Sequence, residues 1–279
     1  MSPDLRARES GENFPVALKA LPRRHRDDLH AVYAFARTVD ELGDSAAGDR
    51  VAQLRRFDDD LGRLFATGDA EHPVLRGLRP TIEAHGLDAE PFHRLVLANL
   101  QDQAVHRYES FDDLVGYCRL SADPVGRIVL GVFDIHDARL TALSDKVCTA
   151  LQLVEHWQDV AEDRRAGRVY LPQDDLRAHG VDESHLDLPS ATEQLAGLVR
   201  FETERAAGLL AEGAPIVRGL HGWARVCVAG FVAGGAATVA ALRRTKGDVL
   251  AHQAKPSKAG TLTRVLAMLA TGGRRGARP

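Results

Sequence analysis

The chain has 279 residues, 44% of them hydrophobic and 27% charged, and its formal net charge is −3 at neutral pH. This composition suffices for a sizeable core, and we expect one domain over residues 1–271 and a disordered basic tail at 272–279. Because the chain is slightly acidic, with a pI near 6.5, it lacks the basic footprint of a nucleic-acid-binding protein, and no nucleic acid partner is predicted.

The cysteines and the N-terminus indicate the compartment. Cys118, Cys148 and Cys227 are odd in number and far apart in the sequence. This pattern favours buried free thiols in a reducing environment over disulfides or a zinc site. The opening sequence, MSPDLRARESGEN, is polar and lacks the apolar segment of a signal peptide. A cytoplasmic protein is therefore expected.

Helical periodicity dominates the chain, and no segment alternates convincingly as a strand. The predicted helices cover residues 24–42, 50–66, 72–85, 89–107, 111–133, 138–163, 191–213, 222–245 and 261–270. The longest connection, residues 167–190, contains two prolines and is expected to pack over one end of the bundle. The sequence therefore predicts an all-α protein.

The first predicted helix carries a polar stripe with charges of both signs. Its members are Tyr33, Arg37, Asp40 and Asp44. The two aspartates lie four residues apart, so both carboxylates share one face and repel each other unless a positive group covers them. Arg37 and Asp40 could also form an ordinary surface ion pair, which leaves a solvated helix end as an equally good interpretation.

The helix predicted at 138–163 has a similar stripe on an otherwise apolar surface. The stripe consists of Gln152, Glu155, Asp159 and Asp163. A helix that is apolar on most sides with one acidic stripe is typical of an inner helix that lines a cavity. Oxygen ligands without cysteine or paired histidine suit Mg²⁺, which also keeps water and substrate phosphates as ligands. If the two acidic stripes face each other, they form a site for Mg²⁺ and a diphosphate.

Basic residues follow the second stripe directly. Arg164, Arg165 and Arg168 precede Tyr170 in the sequence DRRAGRVYLP. Guanidinium groups bind phosphate oxygens through paired hydrogen bonds, so one or more of these arginines is expected to contact a diphosphate. Arg168, which lies beside the apolar turn, is the preferred candidate.

Two segments near the C-terminus bear on membrane contact. Residues 226–242 are uncharged, but they match only the shortest spanning helices of roughly 17 residues, and their small side chains favour a packed core helix. The last helix has an apolar face followed by arginines: Leu262, Val265, Leu266 and Leu269, then Arg274, Arg275 and Arg278. This combination suits either peripheral contact with anionic lipid on the inner face of the membrane or a terminal core helix with a disordered tail.

Four stretches of the chain resemble the squalene and phytoene synthase group of trans-isoprenyl diphosphate synthases. They are ENFPVALKALP, AVYAFARTVDELGD, YCRLSADPVGRIVLGVF and LQLVEHWQDVAEDRRAGRVYLP, in the family's order and spacing. The resemblance extends from about residue 12 to about residue 258. Within the group, the chain is most similar to the hydroxysqualene synthase branch of hopanoid biosynthesis.

The resemblance implies a fold and a set of site residues. The fold is the isoprenoid synthase type of helical bundle, which surrounds a central apolar cavity. The implied Mg²⁺ ligands are Asp40, Asp44, Asp159 and Asp163, with Glu155 as a further oxygen ligand. The implied diphosphate ligands are Arg37, Arg168 and Tyr170, covered by Asn13 and Phe14. The residues expected to line the reacting centre are Tyr33, Tyr117, Gly126 and Gln152.

The activity implied by this branch converts presqualene diphosphate to hydroxysqualene with capture of one water and loss of diphosphate, a carbon–oxygen lyase reaction that uses Mg²⁺ and no NADPH. Head-to-head condensation of prenyl diphosphates, which gives presqualene diphosphate or phytoene, is the enzymatic alternative. A non-catalytic lipid-binding or assembly protein of the same fold is the other. No oligomeric state is predicted.

The chain departs from the family pattern near the second motif. Glu155 stands where the family usually has asparagine, and Asp123 stands where this branch more often has asparagine. Glu155 keeps an oxygen ligand but adds a negative charge and a methylene group, which puts the strength of metal binding and turnover in doubt. His156, inside the second motif, is expected to be a packing or solvent-facing group and only a weak acid or base candidate.

Overall fold

The computed structural model describes residues 21–271 of the chain. The described part is helical, and no strand occurs in it apart from one isolated bridge between Arg107 and Val169. The helices are α1 (Arg23–Asp44), α2 (Arg50–Thr67), α3 (Pro73–His85), α4 (Ala89–Gln101), α5 (Phe111–Ser121), α6 (Asp123–Val132), α7 (Ala138–Gln158), α8 (Val160–Arg165), α9 (Gln173–Ala178), a 3₁₀ helix (Glu183–Asp187), α10 (Glu193–Gly213), α11 (Ile216–Gly219), α12 (Gly222–Thr245) and α13 (Lys258–Thr271). The prediction of an all-α protein is confirmed.

The chain divides into two compact units, each made of two stretches of sequence. The prediction of a single domain over residues 1–271 stays a prediction, and the tail at 272–279 lies outside the described residues.

The first unit comprises residues 21–105 and 119–141 and therefore contains α1 to α4 and α6. Phe35 of α1 is fully buried, and its ring packs edge-on against Phe92 of α4 at a centroid distance of 5.1 Å. His85 at the end of α3 is also buried, with Nε2 3.2 Å from Asp28 and Nδ1 3.1 Å from Asp134. These contacts fix α1 against the helices beside it, so the polar stripe of α1 sits on a rigid element.

The second unit comprises residues 106–118 and 142–271. Gly213 ends α10 against α7, where a Cβ atom on this residue would lie 2.8 Å from the carbonyl oxygen of Leu143. Only glycine allows the two backbones to approach so closely. The second acidic stripe on α7 is therefore also carried by a helix in tight contact with its neighbours.

Helix α12 is the one described helix that is long and apolar enough to cross a membrane by length and composition. In the structure, 67% of its most apolar window is buried inside the protein. It packs against α10 and α13 within the second unit. This burial supports the prediction of a packed core helix at residues 226–242.

Three predicted helices differ from the observed ones. Residues 111–133 form two helices that meet at Ala122, because Pro124 has no N–H to donate and its ring clashes with the preceding turn. Residues 138–163 also form two helices, which meet at Asp159. The helix predicted at 89–107 ends at Gln101, where the chain turns through hydrogen bonds from Ala104 and Val105 to the Gln101 carbonyl.

The cysteines are free, as predicted. Cys118 and Cys227 are buried, whereas Cys148 is only half-buried, so the prediction of buried thiols holds for two of the three. Burial in apolar surroundings raises the pKa of the Cys227 thiol to about 12, which keeps it protonated and unreactive.

Candidate active site

The polar stripe on α1 is only partly exposed. Tyr33, Arg37 and Asp40 are half-buried, while Asp44 at the end of the helix is exposed. The Arg37 guanidinium lies 3.8 Å from Asp40 and 3.9 Å from Glu41, beyond hydrogen-bond distance. Its Nε is buried and has no hydrogen-bond partner among residues 21–271. Because an unpaired buried donor is unfavourable, this N–H group suits an anion.

The second acidic pair lies where one helix gives way to the next. Asp159 has φ −104° and ψ 15°, and it separates α7 from α8. The helical hydrogen bonds nevertheless continue, from Asp159 N–H to the Glu155 carbonyl at 3.0 Å and from Asp163 N–H to the Asp159 carbonyl at 2.8 Å. A single helix across this segment was a wrong prediction, but the one-turn separation of the two aspartates along the backbone is kept.

The described surroundings of this pair mostly oppose the ionisation of Asp159. Burial and, to a smaller extent, the neighbouring carboxylates of Asp163 and Glu162 together raise the pKa of Asp159 to about 6, against an opposing effect of His156. Asp163 Oδ2 is buried, and no residue in the described part of the chain forms a hydrogen bond with it. A buried oxygen without a donor and a carboxyl whose ionisation is suppressed both indicate a place for a cation.

The turn after α8 has a defined geometry. Gly167 has φ +83°, a left-handed conformation, and two hydrogen bonds close the helix behind it. Gly167 N–H donates to the Arg164 carbonyl at 3.0 Å, and Arg168 N–H donates to the Asp163 carbonyl at 2.8 Å. This C-terminal motif ties the backbone of Arg168 to that of the acidic pair.

The three arginines predicted near the diphosphate have different surroundings. Arg164 pairs with Glu183 at 2.8 Å and with Asp187 at 2.8 Å, so it anchors the 3₁₀ helix. Arg165 is exposed and donates to the Ala161 carbonyl of its own helix. Arg168 is half-buried in the turn. The assignment of Arg168 as an anion ligand stays a prediction.

Aromatic rings cluster beside the acidic pair within the second unit. His156 stacks on Tyr170 at a centroid distance of 3.7 Å, and Tyr170 stacks on Tyr108 at 5.9 Å. The ring of Tyr117 lies 5.4 Å from that of Tyr108 and 5.9 Å from that of Tyr170. All four residues are buried. They form an apolar wall with π faces, which is the kind of surface that attracts an organic cation.

His156 also connects three of the predicted site residues. Its Nδ1 lies 3.9 Å from Asp163 Oδ2, its Nε2 lies 3.3 Å from the Gln152 amide nitrogen, and its ring covers Tyr170. Of the two expectations for His156, a packing group and a solvent-facing group, the structure supports the first, because its side chain is only 7% exposed and stacks on Tyr170. It occupies the centre of the polar and aromatic cluster.

Sequence reasoning also missed Tyr108. It reaches the cluster because residues 106–109 run beside residues 169–174, with hydrogen bonds of 3.0 Å from Val169 N–H to the His106 carbonyl and from Gln173 N–H to the Tyr108 carbonyl. No local pattern in the sequence indicates this pairing, since the two segments are about sixty residues apart.

The comparison with protein families identifies the group to which these features belong. The family model described as squalene/phytoene synthase matches residues 7–260. The chain belongs to the squalene/phytoene synthase family. The match covers both acidic stripes, the turn at Gly167 and the aromatic cluster.

Individual members of the family support this assignment. The chain is 36% identical to the hydroxysqualene synthase of Rhodopseudomonas palustris, over 74% of this chain and 70% of that protein. It is 31% identical to the presqualene diphosphate synthase of the same organism, over 70% of this chain and 71% of that protein. The solved structure of a squalene synthase from Alicyclobacillus acidocaldarius has a TM-score of 0.80 and 39% identity, with 88% of this chain and 97% of that chain covered. The predicted isoprenoid synthase fold is confirmed.

The remaining predicted residues have mixed positions. Gly126 and Asp123 are buried in α6 of the first unit. Glu155 is exposed on α7, in contrast to the half-buried aspartates that follow it. Asn13 and Phe14 lie outside the described residues. The exposure of Glu155 means that its extra negative charge is largely screened by water.

The residues present fit Mg²⁺ as a partial set of ligands that water and substrate phosphates would complete. Within the described part of the chain, no group of three or more His, Cys, Asp or Glu side chains could hold a metal ion by itself. Mg²⁺ usually binds through one or two carboxylates and completes its shell with water and substrate phosphates. The pair Asp159 and Asp163 matches that requirement, because one of its carboxylate oxygens has no donor among residues 21–271 and the pKa of Asp159 is raised.

Proposed function

We propose that this member of the squalene/phytoene synthase family is a Mg²⁺-dependent hydroxysqualene synthase of hopanoid biosynthesis. It converts presqualene diphosphate and water to hydroxysqualene and diphosphate. The observation that carries this proposal is the greater similarity to the hydroxysqualene synthase than to the presqualene diphosphate synthase of one organism, at 36% against 31% identity.

The metal ligands proposed are the carboxylates of the two acidic stripes. Asp159 and Asp163 in the second unit and Asp40 and Asp44 in the first would hold Mg²⁺, with Glu155 as an outer ligand. When bound, Mg²⁺ neutralises the diphosphate so that it can leave with the bonding electrons. Asp159 and Asp163 support this role because one oxygen lacks a donor and one carboxyl has a raised pKa.

The diphosphate would also be held by protein cations and hydroxyl groups. Arg37 offers a buried Nε–H group without a partner. Arg168 and Tyr170 come from the segment that follows the turn at Gly167. Donors held by such a turn orient the diphosphate before the C–O bond breaks.

The hydrocarbon end of the substrate would meet the aromatic residues. After the C–O bond breaks, the substrate carries a positive charge that moves as its cyclopropane ring opens. The π faces of Tyr117, Tyr170 and His156 would stabilise this charge, and the Gln152 amide lies beside His156. A dry wall limits the reaction to one water, whose oxygen bonds to the cation and which then loses a proton.

Head-to-head condensation of prenyl diphosphates is the second candidate, because the presqualene diphosphate synthase matches the chain over nearly the same fraction. The two reactions differ in substrate. Purified protein with Mg²⁺ and without NADPH is incubated separately with presqualene diphosphate and with farnesyl diphosphate, and products are identified by mass spectrometry. Hydroxysqualene from presqualene diphosphate, with no product from farnesyl diphosphate, is the expected result.

Other outcomes assign other functions. Presqualene diphosphate or a longer homologue formed from prenyl diphosphates would support condensation instead. Inactivity with both substrates, in protein that is folded and binds prenyl lipid, would support a non-catalytic lipid-binding or assembly protein.

A further inference from the structure

Glu183, the first residue of the 3₁₀ helix, is the centre of a charged cluster within the second unit. Its carboxylate accepts two hydrogen bonds from Arg107, one from Nε at 2.7 Å and one from Nη2 at 3.0 Å. It also accepts from Arg164 of α8 at 2.8 Å and from Gln173 of α9 at 3.2 Å. One side chain therefore connects four segments of the chain, and the mechanism proposed above does not use it.

The pair formed by Arg107 and Glu183 differs from an ordinary surface ion pair. Its two side chains are only 34% and 30% exposed, and the guanidinium and carboxylate groups meet through two hydrogen bonds. The hydrogen bonds from Arg107 hold the pKa of Glu183 below its usual range, so the carboxylate is charged at neutral pH. Bidentate, partly buried pairs are stronger and more directional than exposed pairs. Glu183 therefore fixes the orientation of the Arg107 guanidinium.

The third nitrogen of this guanidinium group binds the turn that precedes Arg168. Arg107 Nη1 donates to the Gly167 carbonyl at 2.6 Å. This carbonyl and the N–H group of Arg168 belong to one planar peptide group, and the N–H group donates to the Asp163 carbonyl at 2.8 Å. The peptide is thus held on both sides, by Arg107 and by the backbone of Asp163. Its orientation determines the direction in which Arg168 leaves the turn.

Arg107 also lies in the segment that carries part of the aromatic cluster. Arg107 and Val169 form the isolated bridge, and each is followed by a tyrosine of the cluster, Tyr108 and Tyr170. The rings of these two tyrosines stack at 5.9 Å. Loss of the charge of Glu183 should therefore loosen both the turn and the aromatic residues that follow it.

We infer that Glu183 is a positioning residue for the diphosphate-binding turn and acts through Arg107. Glu183 orients Arg107, Arg107 holds the peptide between Gly167 and Arg168, and this peptide directs Arg168 toward the diphosphate. In this role Glu183 contacts neither the substrate nor a metal ion. The inference rests on the proposed function only in placing a diphosphate at the turn, and it is the same for water capture and for condensation. A group that orients a ligand typically changes affinity by about tenfold or more.

Binding of inorganic pyrophosphate to the full chain with Mg²⁺, measured by isothermal titration calorimetry, tests this role. Glu183→Gln is expected to weaken the affinity by about tenfold. The matched control is Asp187→Asn in the same 3₁₀ helix, because Asp187 binds Arg164 through both carboxylate oxygens at 2.8 Å. This variant leaves Arg107 and its bond to Gly167 in place, so its affinity should stay within about twofold of that of wild type.

Two further measurements distinguish positioning from a general structural role. Arg107→Gln should weaken pyrophosphate binding about as much as Glu183→Gln, and the double variant should bind no more weakly than Arg107→Gln alone, because both residues act through one contact. In Glu183→Gln, hydrogen exchange should be faster at residues 167–170 and unchanged in the buried helix α12. Circular dichroism checks that each variant is folded. A structural role would instead lower the melting temperature and the fraction of molecules that bind, at the affinity of wild type.

The outcomes separate this inference from the proposed reaction. Equal losses in Glu183→Gln and Asp187→Asn, additive losses in the double variant, or wild-type affinity and exchange in Glu183→Gln would overturn the role of Glu183. Protein that binds pyrophosphate but forms no hydroxysqualene would refute the proposed reaction and not this role, because pyrophosphate binding and amide exchange are measured without turnover.

Discussion

The two acidic stripes have the same spacing of aspartates but different surroundings. On α1, Asp40 is 46% exposed and Asp44 is exposed, and Arg37 lies nearby on the same helix. At the end of α7, Asp159 and Asp163 are half-buried, one oxygen has no donor, and the first carboxyl has its pKa raised to about 6. Identical spacing therefore does not give identical electrostatics, because burial and neighbouring charges determine the free energy of each carboxylate.

This difference leads us to expect that the two aspartate pairs contribute unequally to metal affinity. The pair on α1 has a guanidinium group nearby, with Arg37 3.8 Å from Asp40. The pair at Asp159 is under electrostatic strain until a cation binds, so it should contribute more to metal affinity and should lower the stability of the metal-free protein. The same substitution, aspartate to asparagine, made in each pair separately compares their contributions to metal affinity and to the stability of the metal-free protein.

The largest expected effect follows removal of one carboxylate from the second pair. Asp163→Asn should lower kcat/KM with the diphosphate substrate by about 10²- to 10³-fold, because it removes an oxygen ligand for the cation that neutralises the leaving group. Steady-state kinetics over a range of Mg²⁺ concentrations provides the measurement. If Asp163→Asn lowers kcat/KM less than Asp44→Asn does, the second pair does not contribute more to metal affinity, and this part of the account is contradicted.

The next test compares Arg168 with Arg165, a nearby arginine, in binding of the diphosphate substrate. Arg168→Ala should raise KM for the diphosphate substrate by about 10- to 100-fold, as expected for loss of a charge-assisted hydrogen bond. Arg165→Ala should leave KM unchanged, because Arg165 is exposed and bonds to its own helix. Equal effects of the two variants would show that general positive charge, and not a specific contact, holds the diphosphate.

His156 should act as a positioning residue. His156→Phe keeps a ring against Tyr170 but removes the nitrogen atoms next to Asp163 and Gln152. We expect the half-saturating Mg²⁺ concentration to rise by about tenfold, the usual effect of losing a group that orients a metal ligand. The control His179→Phe alters another histidine of the same unit that stacks near Phe201.

A purely structural role of His156 gives a different pattern. In that case His156→Phe would change the melting temperature and leave the Mg²⁺ dependence of the rate as in wild type.

The smallest effect is expected in the stability of the metal-free protein. A raised pKa means that folded Asp159 binds a proton more tightly than the unfolded chain does, so its unfavourable contribution appears as pH rises from about 4 to about 6. Asp159→Asn should therefore increase the free energy of unfolding at pH 7.5 by about 1–2 kcal/mol, with allowance for solvent screening, and should have little effect at pH 4.

Urea unfolding at the two pH values measures this difference. Glu202, whose burial raises its pKa to about 8, has a pH dependence of the same sign but is present in both proteins, so it cancels in the comparison. Asp44→Asn should change the stability at neither pH. A destabilising effect of Asp159→Asn at pH 7.5 without Mg²⁺ would refute the idea of electrostatic strain.

Much of the fold could be predicted from local signals. The helix at residues 50–67 was found within one residue because Asp49 caps its start, where its carboxylate accepts from Ala52 N–H at 2.9 Å, and Gly68 ends it with φ +75°. The break at Ala122 was missed although Pro124 signals it. The interruption at Asp159 has no such signal, because the flanking residues are good helix formers and the hydrogen bonds continue across it.

The part of the site that local sequence signals reveal was predicted, and the part that depends on tertiary contacts was not. The aspartates and Arg168 lie in linear motifs and were identified by spacing and resemblance. The roles of His156 and Tyr108 depend on contacts between distant segments, which periodicity does not reveal. The raised pKa of Asp159 is likewise a tertiary property, because its main cause is burial by other parts of the second unit.

The most direct test of the proposed reaction is to follow the oxygen atom. Purified protein, Mg²⁺ and presqualene diphosphate are incubated in H₂¹⁸O without NADPH, and the organic product is analysed by mass spectrometry. The account predicts hydroxysqualene that carries one ¹⁸O atom in its hydroxyl group, with formation of one diphosphate per product and loss of turnover in Asp163→Asn. A hydrocarbon product, an unlabelled alcohol, or full turnover by Asp163→Asn would contradict it.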